Sequence, residues 1–539
     1  VKTNASAQLK AEYQRLRLLS CEALFDSEVP RFDAAASSER VRLVGVVRAV
    51  GVVFSESGTP AQKQMARQWL NGLLSDPAEK VRRYAIAALP KLGSGKLEES
   101  NLLALLERKG SEREDRALAQ ALNKIGGEAT LERGALQSAN RLNLSLQRVR
   151  ANVERKADAG SLTLNAPVKQ LEGIRIVLEC RSGLAPFAAE ELEQSATAKE
   201  TFQIVHRDDA RIELRPRMGF SLGSLYGLRC FSRLSFPLGD LPPPKGRDSL
   251  LDAQAVAAMI TSGPSRQLMG SFTKGTVRYR LDFSSRRAGS AHANAIAEHV
   301  FATAPALLND PRQALWEIGI RQTAQRVQVE LTPRFRPDPR FAYRRGDVPA
   351  ASHPPLAAAM AKLARTRPEA TERIWDPFCG SGLELAECAL AGGSGVVFGT
   401  DLSAEAVAVA RLNFAAATRE RPWAEARFVR SDFREAHLHP DLSGLKDLSL
   451  IICNPPLGKR VPIDDLHALV RSLFGAAERL LRPGGRLIFV NPLERRAEAG
   501  TLTLEFRQKV DLGFTHLHLE KWVKPMSKGN RRRNQERKS

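Results

Sequence analysis

"LSLIICNPPLGKRV" (residues 448–461) packs Leu448, Leu450, Ile451 and Ile452 into a run that reads as a buried strand, then stops at Asn454 before two prolines. A residue that precedes proline is pushed out of the helical region, so Asn454 stays near the strand direction. Pro455 and Pro456 lack N–H groups and end the hydrogen-bond ladder. The Asn454 side chain is therefore held at the carboxyl end of a strand, where open α/β sheets bind their ligands.

Around this stretch, residues 351–525 alternate strand and helix: "RIWDPF", "ELAECALA", "GVVFGTD", "EAVAVARLNF", "ARFVRSD", "LSLIICNPP", "DDLHALVRSLFGAAERLL", "GRLIFVNP". That alternation predicts a mostly parallel, doubly wound α/β sheet. "DPFCGSG" (376–382) follows its first strand and opens a helix. Gly380 and Gly382 let the backbone turn tightly there. Alone, such a turn serves any nucleotide, or only the turn. The second strand ends at Asp401, 25 residues after Asp376 (401 − 376), where an acid accepts hydrogen bonds from ribose hydroxyls. The third ends in "SDF", which offers Asp432 to an adenine amine. A P-loop is excluded, because no Gly-Lys-Ser/Thr is present, and Asp376 would repel a pyrophosphate. A ligand with a ribose, an adenine and no phosphate fits, which points to S-adenosylmethionine. Phe378, Leu402, Phe433 and Asn454 complete the expected cofactor set, and no metal is expected.

The bulk properties agree with a polyanionic partner. The chain has 539 residues and a formal net charge of +21, which favours nucleic acid or an acidic membrane face over a neutral surface. A basic-rich proteome with solvated charged faces is the plain alternative. Six scattered cysteines without a C-x-x-C pair argue against a disulfide framework and a zinc ribbon. The opening "VKTNASAQLKAEYQRLRLL" lacks an apolar signal region and no stretch is long enough to span a bilayer, so a cytoplasmic protein is expected.

Residues 1–165 read as helical repeats with a linker. In "DPAEKVRRYAIAALPKLG" (76–93), Val81, Ala85, Ala88, Leu89 and Leu92 fall on one helical face. "EREDRALAQALNKIGG" (112–127) repeats the pattern at a period of 33 (121 − 88), and "VRLVGVVRAVG" (41–51) is a weaker copy. Helical units at that period stack into a solenoid. From 171 strands mix with helices, as in "GIRIVLEC", "SGLAPFAAEELEQ" and "TVRYRLDF", which suggests one or two α+β domains. "RPDPRFAYRRGDVPA" (336–350) is a Pro/Arg-rich connector, and the end of the chain, from 521, reads as a disordered basic tail.

These residues carry a resemblance. "DPFCGSG", "GTDLSAEAVAVARLNF", "SDF" and "NPPLGKRV" resemble the Rossmann-like methyltransferases that modify exocyclic amines with S-adenosylmethionine, most of all the THUMP-bearing RNA guanine-N2 methyltransferases. "IRIVLECRSGLAPFAAEELEQ" is similar to that family's ferredoxin-like piece, and 250–335 to its THUMP domain. The run at 76–93 resembles HEAT repeats. The resemblance implies HEAT-like helical repeats over 1–165, a ferredoxin-like domain over 171–245 and a THUMP-like domain over 250–335. A Rossmann-like methyltransferase domain over 351–525 and a basic tail over 526–539 complete it. Structured RNA, tRNA or rRNA, is the implied partner, gripped through phosphates by Arg334, Arg336, Arg340, Arg344 and Arg345, with a protein partner possible on the repeats.

It also implies a use for Asn454. The Asn454 side-chain carbonyl and the Pro455 backbone carbonyl accept the two N–H bonds of a flipped guanine amine, while Pro456 fixes the bend. Family members place an aromatic after the prolines to stack on the base; here it is Leu457, and Phe433 is the candidate substitute. Two rivals stand beside this reading: an amine or amide methyltransferase acting on DNA or protein, and a catalytically silent RNA-binding assembly factor. Cys379 and Cys453 flank the site; as nucleophiles they would mean C5-pyrimidine methylation, and as buried small residues they would be inert. His353 reads equally as pocket lining or as a helix start.

Overall fold

The structure is a computed structural model. It describes residues 11–93, 95–108, 110–134, 149–150, 153, 160–243, 251–284, 290–349, 351–365, 371–392, 394–420, 425–456, 465–493, 500–513 and 516–526. Leu457 and the expected tail from 527 lie outside the described residues. The chain forms two compact units, one of residues 1–161, 240–262 and 273–329, the other of 162–239, 263–272 and 330–539.

In the first unit the amino-terminal region is helical. Helices α1 (Val44–Ser57), α2 (Pro60–Gly72), α3 (Glu79–Ala88), α4 (Lys96–Ala104) and α5 (Glu112–Ile125) follow in order. The period is built into packing: α1 contacts α3, and α3 contacts α5. Val81, Ala85, Ala88, Leu89 and Leu92 all bury in one core whose buried members, among the described residues, run from Leu16 to Ile125. Gly51 allows the closest approach, since a Cβ there would sit 2.6 Å from the Ala88 Cβ. Arg82 ties α3 to α5, donating to both Glu114 carboxylate oxygens at 2.7 and 2.8 Å. Further along, Val277–Phe283 runs parallel to both Leu307–Asn309 and Trp316–Gln322. Parallel neighbours need a crossover, and the helix Ser290–Thr303 lies between the first two in sequence.

The second unit opens with Ile176–Glu179 (β1), Ala185–Gln194 (α6), Phe202–Arg207 (β2), Arg211–Pro216 (β3), Leu222–Tyr226 (α7) and Arg233–Leu241 (β4). β1 pairs antiparallel with both β3 and β4, and β2 with β3. Leu184, Phe187, Ala188 and Leu192, the apolar stripe of the helix, are buried.

The carboxyl-terminal domain begins with α8 (Pro354–Ala364). It continues through β5 (Thr371–Asp376), α9 (Leu383–Leu390), β6 (Ser394–Asp401), α10 (Ala404–Ala417), β7 (Glu425–Arg430), β8 (Leu448–Cys453), α11 (Leu466–Leu480) and β9 (Leu481–Asn491). It closes with β10 (Thr503–Asp511) and β11 (His516–Val523). The sheet order is β7-β6-β5-β8-β9-β11-β10. Strands from β7 to β9 are parallel, and β11 is antiparallel to both neighbours. β8 is buried along its whole length, as a central strand covered on both faces must be. The order reverses direction between β5 and β8, so β5 and β8 end at the switch point, where an open sheet leaves a crevice. The expected disorder from 521 is corrected at its start. Lys521 is in β11 and pairs with Glu505 at 3.1 Å, and the Lys524 ammonium donates to the Glu478 and Leu481 carbonyls at 2.6 and 2.7 Å.

Candidate active site

Three segments converge at the carboxyl ends of β5, β6 and β8. After β5, Gly380 (φ +47°) and Gly382 (φ +76°) take left-handed conformations that a side chain would strain. A Cβ on Gly382 would also come within 3.0 Å of the Ala410 backbone, so this glycine lets α9 and α10 approach. The loop is pinned from both sides. The Cys379 amide donates to the Thr400 carbonyl at 2.9 Å, and the Thr400 hydroxyl donates to the Pro377 carbonyl at 3.2 Å.

The acids expected to hold the cofactor lie at the ends of β5 and β6 and just beyond the end of β7. Asp376 is fully buried; one carboxylate oxygen accepts from the Phe378 amide at 2.9 Å and the other, Oδ2, has no partner. Burial, then the nearby Glu384 carboxylate, pushes its carboxyl well above the usual range. Asp401 accepts from the Gly380 amide at 3.0 Å and the Ser403 amide at 2.9 Å, so it shapes the glycine loop. Asp432 is clamped by Arg434, whose hydrogen bonds lower its pKa. Phe433 is buried against Phe378 with ring centroids 4.8 Å apart, while Leu402 is exposed.

Asn454 extends from β8 as its neighbouring prolines require. Its amide NH2 donates to the Ser352 hydroxyl at 2.9 Å, and its carbonyl oxygen Oδ1 is buried without a partner. Ser352 in turn donates to Glu384, in the first turn of α9. Burial also raises the Glu384 pKa, against the lowering effect of that Ser352 hydrogen bond. Pro455 is buried and Pro456 partly so. The Cys379 and Cys453 thiols are pushed well up by burial and then by neighbouring carboxylates, the reverse of what a nucleophilic thiolate needs. His353 starts α8 through its carbonyl, which accepts from Leu356. Burial, then Arg181, Arg340 and Arg344, lowers its pKa to about 4, so the ring is neutral at pH 7.

Arg340 departs from the expected phosphate-binding set. Its side chain is buried, bonds the Phe231 carbonyl at 2.6 Å and Asp338 at 2.8 Å, and stacks 3.8 Å from the Phe231 ring. An arginine so engaged and so buried builds the fold and is not presented to RNA. Arg344 pairs with Asp347, Arg334 is partly buried, and Arg336 and Arg345 are exposed.

Sequence reading missed Ser352, Glu384, Glu387 and Asn413. Asn413 accepts from the Arg345 and Gly346 amides at 2.7 and 3.0 Å and donates to the Ser381 carbonyl at 2.9 Å, joining the connector to the glycine loop. The available signal was polar residues inside apolar helices: Glu384 and Glu387 in "LELAECAL", Asn413 in "AVARLNF". Buried carboxylates and amides need partners.

Among the described residues no group of His, Cys, Asp or Glu is placed to hold a metal ion, and no helix is long and apolar enough to cross a membrane. The residues do fit a cationic, phosphate-free nucleoside ligand. A buried carboxylate oxygen without a partner at Asp376 matches an ammonium or sulfonium, and neither cradling glycine blocks approach.

Residues 342–511 match a protein family described as "UPF0020: RMKL-like, methyltransferase domain". The class of domain is thus a methyltransferase, and S-adenosylmethionine is its cofactor. No curated protein matches the chain by sequence. Among solved structures, TrmN from Thermus thermophilus is 21% identical with a TM-score of 0.49, covering 65% of this chain and 99% of its own. A predicted N6-adenine-specific DNA methylase from Listeria monocytogenes is 16% identical with a TM-score of 0.48, covering 65% of this chain and 95% of its own. An RNA methyltransferase from Salinibacter ruber, in complex with S-adenosyl-L-homocysteine, is 18% identical with a TM-score of 0.23 and covers 33% of this chain and 95% of its own.

Proposed function

We propose that this chain is a cytoplasmic RNA methyltransferase that modifies an exocyclic amine, guanine N2, in a structured RNA such as tRNA or rRNA. The observation that carries the reading is the buried, unpartnered Oδ1 of Asn454 at the end of β8, directly before the Pro455 carbonyl. An exocyclic amine is a poor nucleophile because its lone pair is delocalised into the ring. Two fixed carbonyl acceptors hold both N–H bonds, turn the lone pair out of the ring plane and stabilise the positive charge that develops on nitrogen. No strong base is required, because the nitrogen, once methylated and cationic, is acidic enough to pass one proton to water as the sulfonium sulfur leaves as a neutral thioether. The cofactor supplies the methyl group; Asp376, Gly380, Gly382, Asp401 and Asp432 hold it, with Phe378, Leu402 and Phe433 beside them, and Pro456 borders the base pocket.

The net charge of +21 supports a nucleic-acid substrate. Arg336 and Arg345, exposed on the connector, and the partly buried Arg334 and Arg344 are the phosphate contacts proposed. The strand–helix–strand–strand–helix–strand order of 176–241, with one extra short helix (Ala196–Thr201) before its second strand, supports a ferredoxin-like piece, followed by a THUMP-like RNA-binding domain. The repeats at 1–165 are proposed as a HEAT-like scaffold for RNA or a protein partner.

The test is methylation of RNA from cells lacking the protein, followed by mass spectrometry of the nucleosides. N2-methylguanosine is the expected product. 5-Methylcytidine would overturn the Asn454 chemistry, and label in DNA or protein, but not in RNA, would overturn the substrate. Asn454→Ala should cut the rate on the order of a hundredfold with cofactor affinity unchanged.

A further inference from the structure

We infer that Ser352 and Glu384 are positioning residues that fix which end of the Asn454 amide faces the amine to be methylated. The inference rests on the amine-binding role of Asn454 proposed above. An asparagine amide presents an acceptor on one side and a donor on the other, and only the acceptor can hold an amine N–H. Something must forbid the flipped amide.

The hydroxyl of Ser352 does so by proton count. It carries one proton and two lone pairs. The proton goes to Glu384, leaving only lone pairs toward Asn454. Asn454 therefore meets Ser352 through its NH2, at 2.9 Å, and Oδ1 is left buried with no protein partner. A half-turn of the amide would set Oδ1 against the lone pairs of Oγ with no hydrogen between them. As a carboxylate, Glu384 offers Ser352 acceptors only. The acid is buried at 3% exposure in the first turn of α9, directly after Gly382. The three side chains come from three places: the segment before α8, the start of α9 and the end of β8. The orientation of the acceptor is thus tied to the glycine loop.

A purely structural role, in which Ser352 merely satisfies a buried carboxylate, makes a different prediction. The experiment measures single-turnover methyl transfer from tritiated S-adenosylmethionine, at saturating cofactor, to RNA from cells lacking the protein. Ser352→Ala should slow transfer about tenfold, the size of one lost hydrogen bond, with cofactor affinity by calorimetry within about twofold. Ser352→Thr, which keeps the hydroxyl, should restore the rate. Combined with Asn454→Ala, Ser352→Ala should cause no further loss, because no acceptor remains to be oriented. Losses that multiply in the double variant would make Ser352 structural and overturn the inference. So would a wild-type rate for Ser352→Ala beside an inactive Asn454→Ala, with the amine role left standing. Full activity in Asn454→Ala would overturn the amine role itself. If Ser352→Ala does not fold, Glu384→Gln replaces it. A glutamine NH2 can donate to Ser352 and release the serine proton toward Oδ1, so transfer should slow only where Asn454 is present. An unchanged rate in Glu384→Gln, or an equal loss without Asn454, would overturn the inference by that route.

Discussion

Glu387 and Arg229 meet fork to fork: Nε and Nη2 of the guanidinium donate to the two carboxylate oxygens at 2.7 and 2.8 Å. The Tyr343 hydroxyl adds a third bond to Glu387 at 2.6 Å. Glu387 lies three residues after Glu384 on α9, so one short helix carries both acids. Glu384 reaches the Asn454 site; Glu387 reaches the segment before β4 and the connector. The helix that the glycine loop opens is therefore held by the α+β piece and by the connector at once.

Arg229→Ala should destabilise the protein by about 3–5 kcal/mol, because it strands a buried carboxylate. Denaturant unfolding checks this. Arg229→Lys should recover only part, since an ammonium cannot make the paired fork. A change under about 1 kcal/mol for Arg229→Ala would show that water reaches Glu387.

Gly183→Ala should also destabilise. Gly183 has φ +88°, and a Cβ there would lie 2.0 Å from the Lys509 carbonyl oxygen. Strain and collision add, so the loss should exceed about 1 kcal/mol. The expected sign is faster proteolysis at the loop before α6, where the Ser182 carbonyl accepts from the Asp511 amide at 3.0 Å. A variant with an unchanged melting temperature would show that this contact is loose in solution.

The catalytic sheet was legible because its strands are apolar runs ended by Asp, Asn and Pro, and a buried parallel strand has no other pattern. The acids at the strand ends were legible for the same reason. The last two strands were not. β10 reads "TLEFRQKVD", where Glu505, Arg507 and Lys509 dilute the alternation, and β11 ends in lysines that resemble a tail. Cross-strand pairing, Lys521 to Glu505 among them, makes these strands, and a pair distant in sequence leaves no local trace. Ser352 was illegible likewise: its meaning lies in Glu384 and Asn454, 32 and 102 residues away. Arg340 misled because a run of arginines looks like a phosphate grip, whereas cation–π stacking on Phe231 buries it.

Deletion of residues 527–539 should reduce the salt dependence of RNA binding without unfolding the domain. The boundary matters, since Lys521 and Lys524 are structural. Each phosphate contact contributes roughly 0.7–0.9 to the slope of log affinity against log salt. Electrophoretic or fluorescence titration over a range of salt reads it, and an unchanged slope would mean the segment makes no phosphate contact.

Asp376→Asn should trade cofactor affinity for stability. The Asp376 carboxyl is fully buried with one oxygen unpartnered, and burial followed by the Glu384 charge raises its pKa well above 3.8. A raised carboxyl pKa means that the folded chain binds more protons than the unfolded chain above the unfolded value. Stability therefore falls as pH rises from about 4 through the folded pKa, and the deficit persists above it. Asparagine removes the charge and relieves Glu384. The cofactor-free variant should gain on the order of 1 kcal/mol at pH 8, with the gain shrinking as pH falls toward 4. Thermal melting across that range checks the sign. Calorimetry should show S-adenosylmethionine binding weakened about tenfold or more, because a charge-assisted hydrogen bond contributes roughly 1.5–3 kcal/mol. A variant that melts lower at pH 8 and binds the cofactor as tightly as before would remove Asp376 from the site and leave it a structural acid of the glycine loop.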